Sequence, residues 1–305
     1  MSPVPNENLH HLASAPVVVG VDGSAGSKLA VRWAAELAAQ RNRRLLIVHG
    51  LDLVATQAML GGYDMLSPSV LDTMRTRGAD TLAEARSLAH EVAPDTDITT
   101  ELAESNPART LIELSLSAYT LVLGATGNAG QLAHLGSTLL AVTSHSHGRV
   151  VVVRDAPGQD LRREGPVVVG VDGSPLSEVA IAAAFAEASE RDADLVAVHC
   201  WSDWHFGEFA GHLNVGLMGP NSETGEDAIL AERLAGWPEK YPDVTLISEV
   251  SASRPSEILL DWSKSAQLIV VGSRGRGGFA GLVLGSTSNF LVQHAQCPVM
   301  VTHKP

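Results

Sequence analysis

Nine consecutive residues of this chain occur twice. Pro16-Val17-Val18-Val19-Gly20-Val21-Asp22-Gly23-Ser24 returns unchanged as Pro166-Val167-Val168-Val169-Gly170-Val171-Asp172-Gly173-Ser174, an offset of 150. The likeness persists downstream. Leu45-Leu46-Ile47-Val48-His49 matches Leu195-Val196-Ala197-Val198-His199 at the same offset, and Leu121-Val122-Leu123-Gly124 matches Ile269-Val270-Val271-Gly272 at 148. A repeat of this length constrains the fold more than any composition, because whatever structure one copy adopts the other must adopt too. The 305 residues are therefore read as two copies of a domain of about 145 residues. A flexible tail is expected over 1–15, the first domain over 16–155 and the second over 166–305. A linker rich in Pro, Gly and charge is expected over 156–165.

Within each copy, apolar runs of four to six residues alternate with stretches of helical period. In the first copy the spacing predicts strands at 17–21, 45–49, 98–101, 121–124 and 150–153. Helices are predicted between them at 26–41, 68–92, 107–118 and 137–146. The second copy predicts strands at 167–171, 195–199, 245–250, 268–271 and 299–302. Continuous Val/Ile/Leu strands separated by helices imply a parallel sheet covered on both faces. Right-handed crossovers make each sheet doubly wound. The expected class is α/β, with two tandem doubly wound five-stranded parallel-sheet domains. Ligands of such sheets sit beyond the carboxyl ends of the strands, where strand order reverses.

The stretch from Leu268 to Thr287 carries the chemistry. A buried strand leads into Gly272, Ser273, Arg274, Gly275, Arg276, Gly277 and Gly278, and then Gly285, Ser286 and Thr287 open a helix. Glycine lets backbone approach a ligand, free N–H groups at a helix start attract anions, and guanidinium groups suit phosphate oxygens. A phosphate-bearing ligand is the first reading. Gly20-Val21-Asp22 and Gly170-Val171-Asp172 end the first strand of each copy and converge on the same crevices. Asp22 and Asp172 are read either as ligand contacts or as caps of the helices that follow, with Ser24 and Ser174 sharing that task. His49 and His199 end buried strands and read as hydrogen-bonded packing groups. His145 and His147 lack a third partner for a metal. Trp33, Trp237 and Trp262 lie in helical segments and read as core or interface. The stretches 51–67 and 200–221 are candidate lids over the crevices or packing loops.

Composition excludes several classes. A formal net charge of −13 argues against a general nucleic-acid or anionic-membrane surface. No apolar run approaches the roughly 20 residues of a membrane span, and the N-terminus has no basic start with a hydrophobic centre. Cys200 and Cys297 are the sole cysteines, a number that suits buried thiols in a reducing compartment. A cytoplasmic protein is expected, without nucleic-acid partner or membrane insertion.

These motifs resemble the universal stress protein family in its tandem two-domain form, as found in actinobacteria and particularly mycobacteria. The resemblance covers nearly the whole chain after the tail. It rests on VVVGVDGS twice, on the strand ending in His twice, and on the glycine signature of the ATP-binding branch. That signature is Gly, two residues, Gly, nine residues, Gly, then Ser or Thr. The second copy supplies Gly272, Gly275, Gly285 and Ser286 in full. The resemblance implies a Rossmann-like domain of the adenine nucleotide alpha-hydrolase type. It implies that Asp172 contacts the adenosine end of ATP, that Gly272–Gly278 wraps the phosphates, and that Gly285, Ser286 and Thr287 complete the cradle. Backbone at Ala197 and Val198 would border adenine, and Mg2+ would accompany the phosphates. Such proteins are nucleotide-binding regulators of stress survival with slow or absent hydrolysis. They commonly form homodimers, and an intrachain pseudo-dimer of the two domains is expected by the same pairing.

The first copy departs from the pattern. Gly124, Ala125, Thr126, Gly127, Asn128, Ala129 and Gly130 form its loop, but eight residues instead of nine separate Gly127 from Gly136-Ser137-Thr138. The loop has no arginine, and Asn128 and His134 are its strong polar groups. Its site is expected to bind ATP more weakly or not at all. Two alternatives stay open: a slow ATP hydrolase, and an interaction module with a vestigial pocket. Efficient hydrolysis is disfavoured by the absence of a Ser-Gly-Gly-x-Asp-Ser loop, a His-x-Gly-His motif or a GxxxxGK[ST] loop, and no catalytic residue is assigned.

Overall fold

Val17, Val18 and Val19 are at most 1% exposed. A four-residue strand so completely buried is held by the roughly 1.5–3 kcal/mol that each such side chain gains on burial, not by intrinsic propensity. Both faces must then be covered, and in the computed structural model they are. It describes residues 14–53, 68–125, 137–154, 161–201, 222–275 and 284–304. The chain divides into two units, one running to Arg154 and taking in the residues from His303 on, the other spanning Asp155–Thr302.

The first unit carries β1 (Val17–Gly20), β2 (Leu45–Gly50), β3 (Ile98–Ala103), β4 (Thr120–Gly124) and β5 (Arg149–Val153). Their order is 3-2-1-4-5, and every pairing is parallel. Helices α1 (Ala25–Gln40), α2 (Pro68–Val92), α3 (Pro107–Ser115) and α4 (Ser137–His145) connect them. The second unit repeats the plan with β6 (Val167–Val171), β7 (Leu195–Cys200), β8 (Leu246–Ser251), β9 (Leu268–Gly272) and β10 (Val299–Thr302). Their order is 8-7-6-9-10, again all parallel. Its helices are α5 (Pro175–Glu190), α6 (Ser222–Leu234), the single turn α7 (Trp237–Lys240), α8 (Pro255–Trp262) and α9 (Ser286–His294). Strand order reverses between β1 and β4 and between β6 and β9, so each unit has its switch point where the two sequence motifs end.

The helix starts follow the sequence closely. Ser24 has extended backbone, and its Oγ accepts the N–H of Ser27 at 3.1 Å. Ser174 does the same for Ser177 at 3.3 Å, with Pro175 at the first helical position. Helix α3 stops at Ser115, three residues short of the expected end, because Leu116 and Ser117 donate to carbonyls three residues back and tighten the last turn. The copies also fill their cores differently. Phe185 of α5 stands where the first copy has Ala35. It is fully buried and stacks on Trp237 and Tyr241 with centroids 5.4 and 5.6 Å apart. Trp33 is core, while Trp262 donates its indole N–H to Glu249 at 2.7 Å. Among the described residues, no helix is long and apolar enough to cross a membrane.

Candidate functional site

The turn after the first strand is the same in both copies. Asp22 Oδ1 accepts the N–H of Ser24 at 3.0 Å, and Asp172 Oδ1 accepts that of Ser174 at 2.9 Å. Gly23 and Gly173 take φ of +81° and +73°, a left-handed conformation that glycine adopts without penalty. The serines therefore cap the helices, and each aspartate braces its serine with one oxygen. The second oxygen of Asp172 meets the other motif. A Cβ built on Gly275 would lie 2.5 Å from Asp172 Oδ2, so backbone of the glycine-rich loop passes directly against the carboxylate.

That loop is anchored from several sides. Ser273 N–H donates to Thr302 O, Gly285 N–H donates to Ser273 O, both at 2.8 Å, and Ser288 Oγ donates to Gly272 O at 2.6 Å. Gly285 is also tight, since a Cβ there would stand 3.3 Å from Arg274 Cα. It takes the N-cap position of α9 without a side-chain cap, in contrast to Ser24 and Ser174. The first-turn amides of α9, including those of Ser286 and Thr287, are therefore not spent on a capping hydroxyl. Arg274 is exposed on the loop. Asp172, Gly272, Ser273, Arg274, Gly275, Gly285, Ser286 and Thr287 are thus gathered around one switch point.

The first copy brings Asp22, Gly124 and Ala125 to its own switch point, and Ser137 and Thr138 open α4. Ala125 N–H donates to Val153 O at 3.0 Å. Gly124 is required sterically, since a Cβ there would lie 2.3 Å from Gly26 C. At Gly272 the nearest atom to a built Cβ is Arg274 O at 3.2 Å. Thr126, Gly127, Asn128, Ala129, Gly130, His134 and Gly136 of the first loop lie outside the described residues, as do Arg276, Gly277 and Gly278 of the second. So does most of each candidate lid, 54–67 and 202–221.

Other sequence candidates have a packing account. A Cβ on Gly20 would meet Leu123 at 2.7 Å and Leu111 at 3.0 Å, and one on Gly170 would meet Leu259 at 3.1 Å. Ala197 and Val198 lie inside β7, buried and paired with both β6 and β8. The strand's carboxyl end is His199 and Cys200. His49 and His199 each place Nδ1 2.7 Å from a carbonyl oxygen, Val21 O and Val171 O. Two residues escaped the sequence reading, Ser288 and Glu226. Ser288 follows a recognised motif directly, whereas nothing in the spacing of Glu226 marks it as the partner of His199 Nε2, 2.8 Å away.

Burial pushes the Cys200 thiol up to about 11, with the nearby Glu249 charge adding to the shift. Cys297 is pushed up to about 12 by burial, against lesser lowering by Arg162 and the Ile269 backbone. Neither thiol is a nucleophile near neutral pH. A separate cleft of about 310 Å³ lies between α1 and α2, where Lys28 pairs with Glu84 at 2.5 Å. Its lining mixes charges of both signs and defines no ligand.

Fold and site together define a tandem α/β protein in which the acidic turn of the second repeat faces the start of a glycine-rich loop at the switch point. The sequence profile of the Universal stress protein family matches residues 14–154 and again 165–303, and the chain belongs to that family. A universal stress protein of Mycolicibacterium smegmatis is 41% identical over 295 residues, 93% of this chain and 96% of the relative. One from Mycobacterium tuberculosis is 42% identical over 297 residues, 94% and 97% of the two chains. The crystal structure of a universal stress protein from Archaeoglobus fulgidus superposes with a TM-score of 0.70 over 95% of this chain and 98% of its own. At 15% identity that likeness shows the fold.

Proposed function

We propose that the chain binds ATP in the crevice of its second domain and acts as a cytoplasmic, nucleotide-dependent regulator of stress survival with little or no hydrolysis. Asp172 holds the adenosine end, beside a wall formed by β7 at Ala197 and Val198. The loop from Gly272 to Gly278 wraps the phosphates, Arg274 and Arg276 donate to them, and the amides of Ser286 and Thr287 take a terminal oxygen. Mg2+ accompanies the phosphates. Bound ATP supplies the triphosphate charge and the adenosine; the protein supplies position. The observation that carries this reading is the meeting of Gly275 backbone with the Asp172 carboxylate beside an uncapped helix start. The residues suit the group, because Gly275 and Gly285 bring loop backbone close to the Asp172 carboxylate and to Arg274, where an added Cβ would crowd them apart. Slow turnover follows from the same residues, which offer donors but no acid–base pair.

The first site is the weaker of the two. Its loop is one residue shorter and has no arginine, and each charged hydrogen bond lost costs about 1.5–3 kcal/mol. Titration of Asp22→Ala and Asp172→Ala with ATP tests the assignment. Asp172→Ala is expected to remove most binding and Asp22→Ala little; equal residual affinity in the two variants contradicts the asymmetry. The chain is also proposed to form homodimers, which light scattering of the purified protein would test.

A further inference from the structure

Both ring nitrogens of His199 are engaged. Nδ1 lies 2.7 Å from Val171 O and Nε2 lies 2.8 Å from Glu226 Oε2. A carbonyl oxygen can only accept, so Nδ1 carries a hydrogen, and the Nε2–Oε2 contact holds a second proton on one atom or the other. The His199 side chain is 2% exposed and that of Glu226 25%. The ring is therefore clamped between α6 and the end of β6. The clamped end, Val171, directly precedes Asp172, whose Oδ2 lies against Gly275.

Among the described residues, the first copy has the histidine without the acid. Setting buried Leu82 against buried Leu230, at the offset of 148, places Gly78 opposite Glu226. Gly78 lies beside the ring: an added Cβ would stand 3.1 Å from His49 Cδ2, with Leu102 at 2.6 Å and Leu51 at 3.0 Å. His49 retains the Val21 carbonyl at 2.7 Å. The acid thus distinguishes the copy with the complete glycine signature from the copy without it.

We propose that Glu226 is a positioning residue for the second nucleotide site. It holds His199 in the orientation that grips Val171, and so aims the Asp172 carboxylate at the adenosine end; α6 is thereby coupled to nucleotide binding in the second domain. This deepens the ATP reading and rests on it. The full-length chain carrying Asp22→Ala is titrated with ATP and with inorganic tripolyphosphate, alone and with Glu226→Ala or Glu226→Gln added. Glu226→Ala is expected to weaken ATP binding about tenfold, the scale of one charge-assisted bond, and to leave tripolyphosphate binding unchanged. Glu226→Gln, whose amide can donate to Nε2 or accept from it, is expected to restore ATP affinity to within about threefold. Undiminished ATP affinity in Glu226→Ala overturns the proposal. So does an equal loss in the alanine and glutamine variants, or a parallel loss for tripolyphosphate, which would mark a general structural role. Failure of the Asp22→Ala parent to bind ATP overturns the function proposed above, and this inference with it.

Discussion

Replacing Gly275 by alanine isolates the contact between the two motifs. Gly275 is exposed, and its φ lies outside the left-handed region, so alanine is tolerated by the backbone. The added methyl would sit 2.5 Å from Asp172 Oδ2, well inside ordinary contact distance. Either the carboxylate turns off its rotamer, costing about 0.5–1.5 kcal/mol, or it gives up the Ser174 N–H it now accepts at 2.9 Å. That charge-assisted bond is worth about 1.5–3 kcal/mol. The expected outcome is a loss of ATP affinity on the order of tenfold to a hundredfold, with unfolding stability lowered by about 0.5–3 kcal/mol, the cost of displacing the carboxylate in the folded chain. Calorimetric titration on an Asp22→Ala background reads the first quantity and urea unfolding the second. In an Asp172→Ala partner the methyl has no carboxylate to displace, so the two substitutions should be strongly non-additive. Full additivity would refute the idea that loop and aspartate form one site.

Three further outcomes follow from the packing. Gly124→Ala should destabilise the first domain by roughly 3–5 kcal/mol, because its Cβ meets Gly26 backbone at 2.3 Å; Gly272→Ala should cost under about 1.5 kcal/mol. Urea unfolding of the two variants checks the contrast, and similar losses would contradict it. Phe185→Ala, which empties the stack with Trp237 and Tyr241, should cost about 3–5 kcal/mol in the same assay. The native thiols should react with a disulfide reagent at pH 8 at least about a hundredfold more slowly than the unfolded chain. Only on the order of one Cys200 in a thousand is thiolate there, and the native rate should climb about tenfold per pH unit toward 11; a stoichiometric burst at pH 8 would contradict this.

The strands and their parallel, doubly wound class were legible because the repeat doubled every signal. Val17–Val19 and Val167–Val169 are apolar without alternation, which only a two-faced sheet explains. Helix ends were less so, since the turn after Ser115 depends on local bonds to Glu113 and Leu114 that periodicity does not encode. The two motifs of the second site could be placed at one crevice from strand ends alone, whereas the division of labour between Asp172 and Ser174 needed the geometry. Gly20 and Gly170 read in sequence only as part of the glycine and acid feature at each crevice, and the leucines of α3 and α8 packed against them needed the structure. Glu226 was invisible because its partner is 27 residues away and sits on a different element.

ATP titration of the Arg274→Ala/Arg276→Ala double variant against the parent chain tests the triphosphate site most directly. With two charge-assisted donors removed, affinity at the second site should fall at least about a hundredfold while the fold is kept. A folded variant that binds ATP as tightly as the parent would contradict the assignment of this loop to the triphosphate.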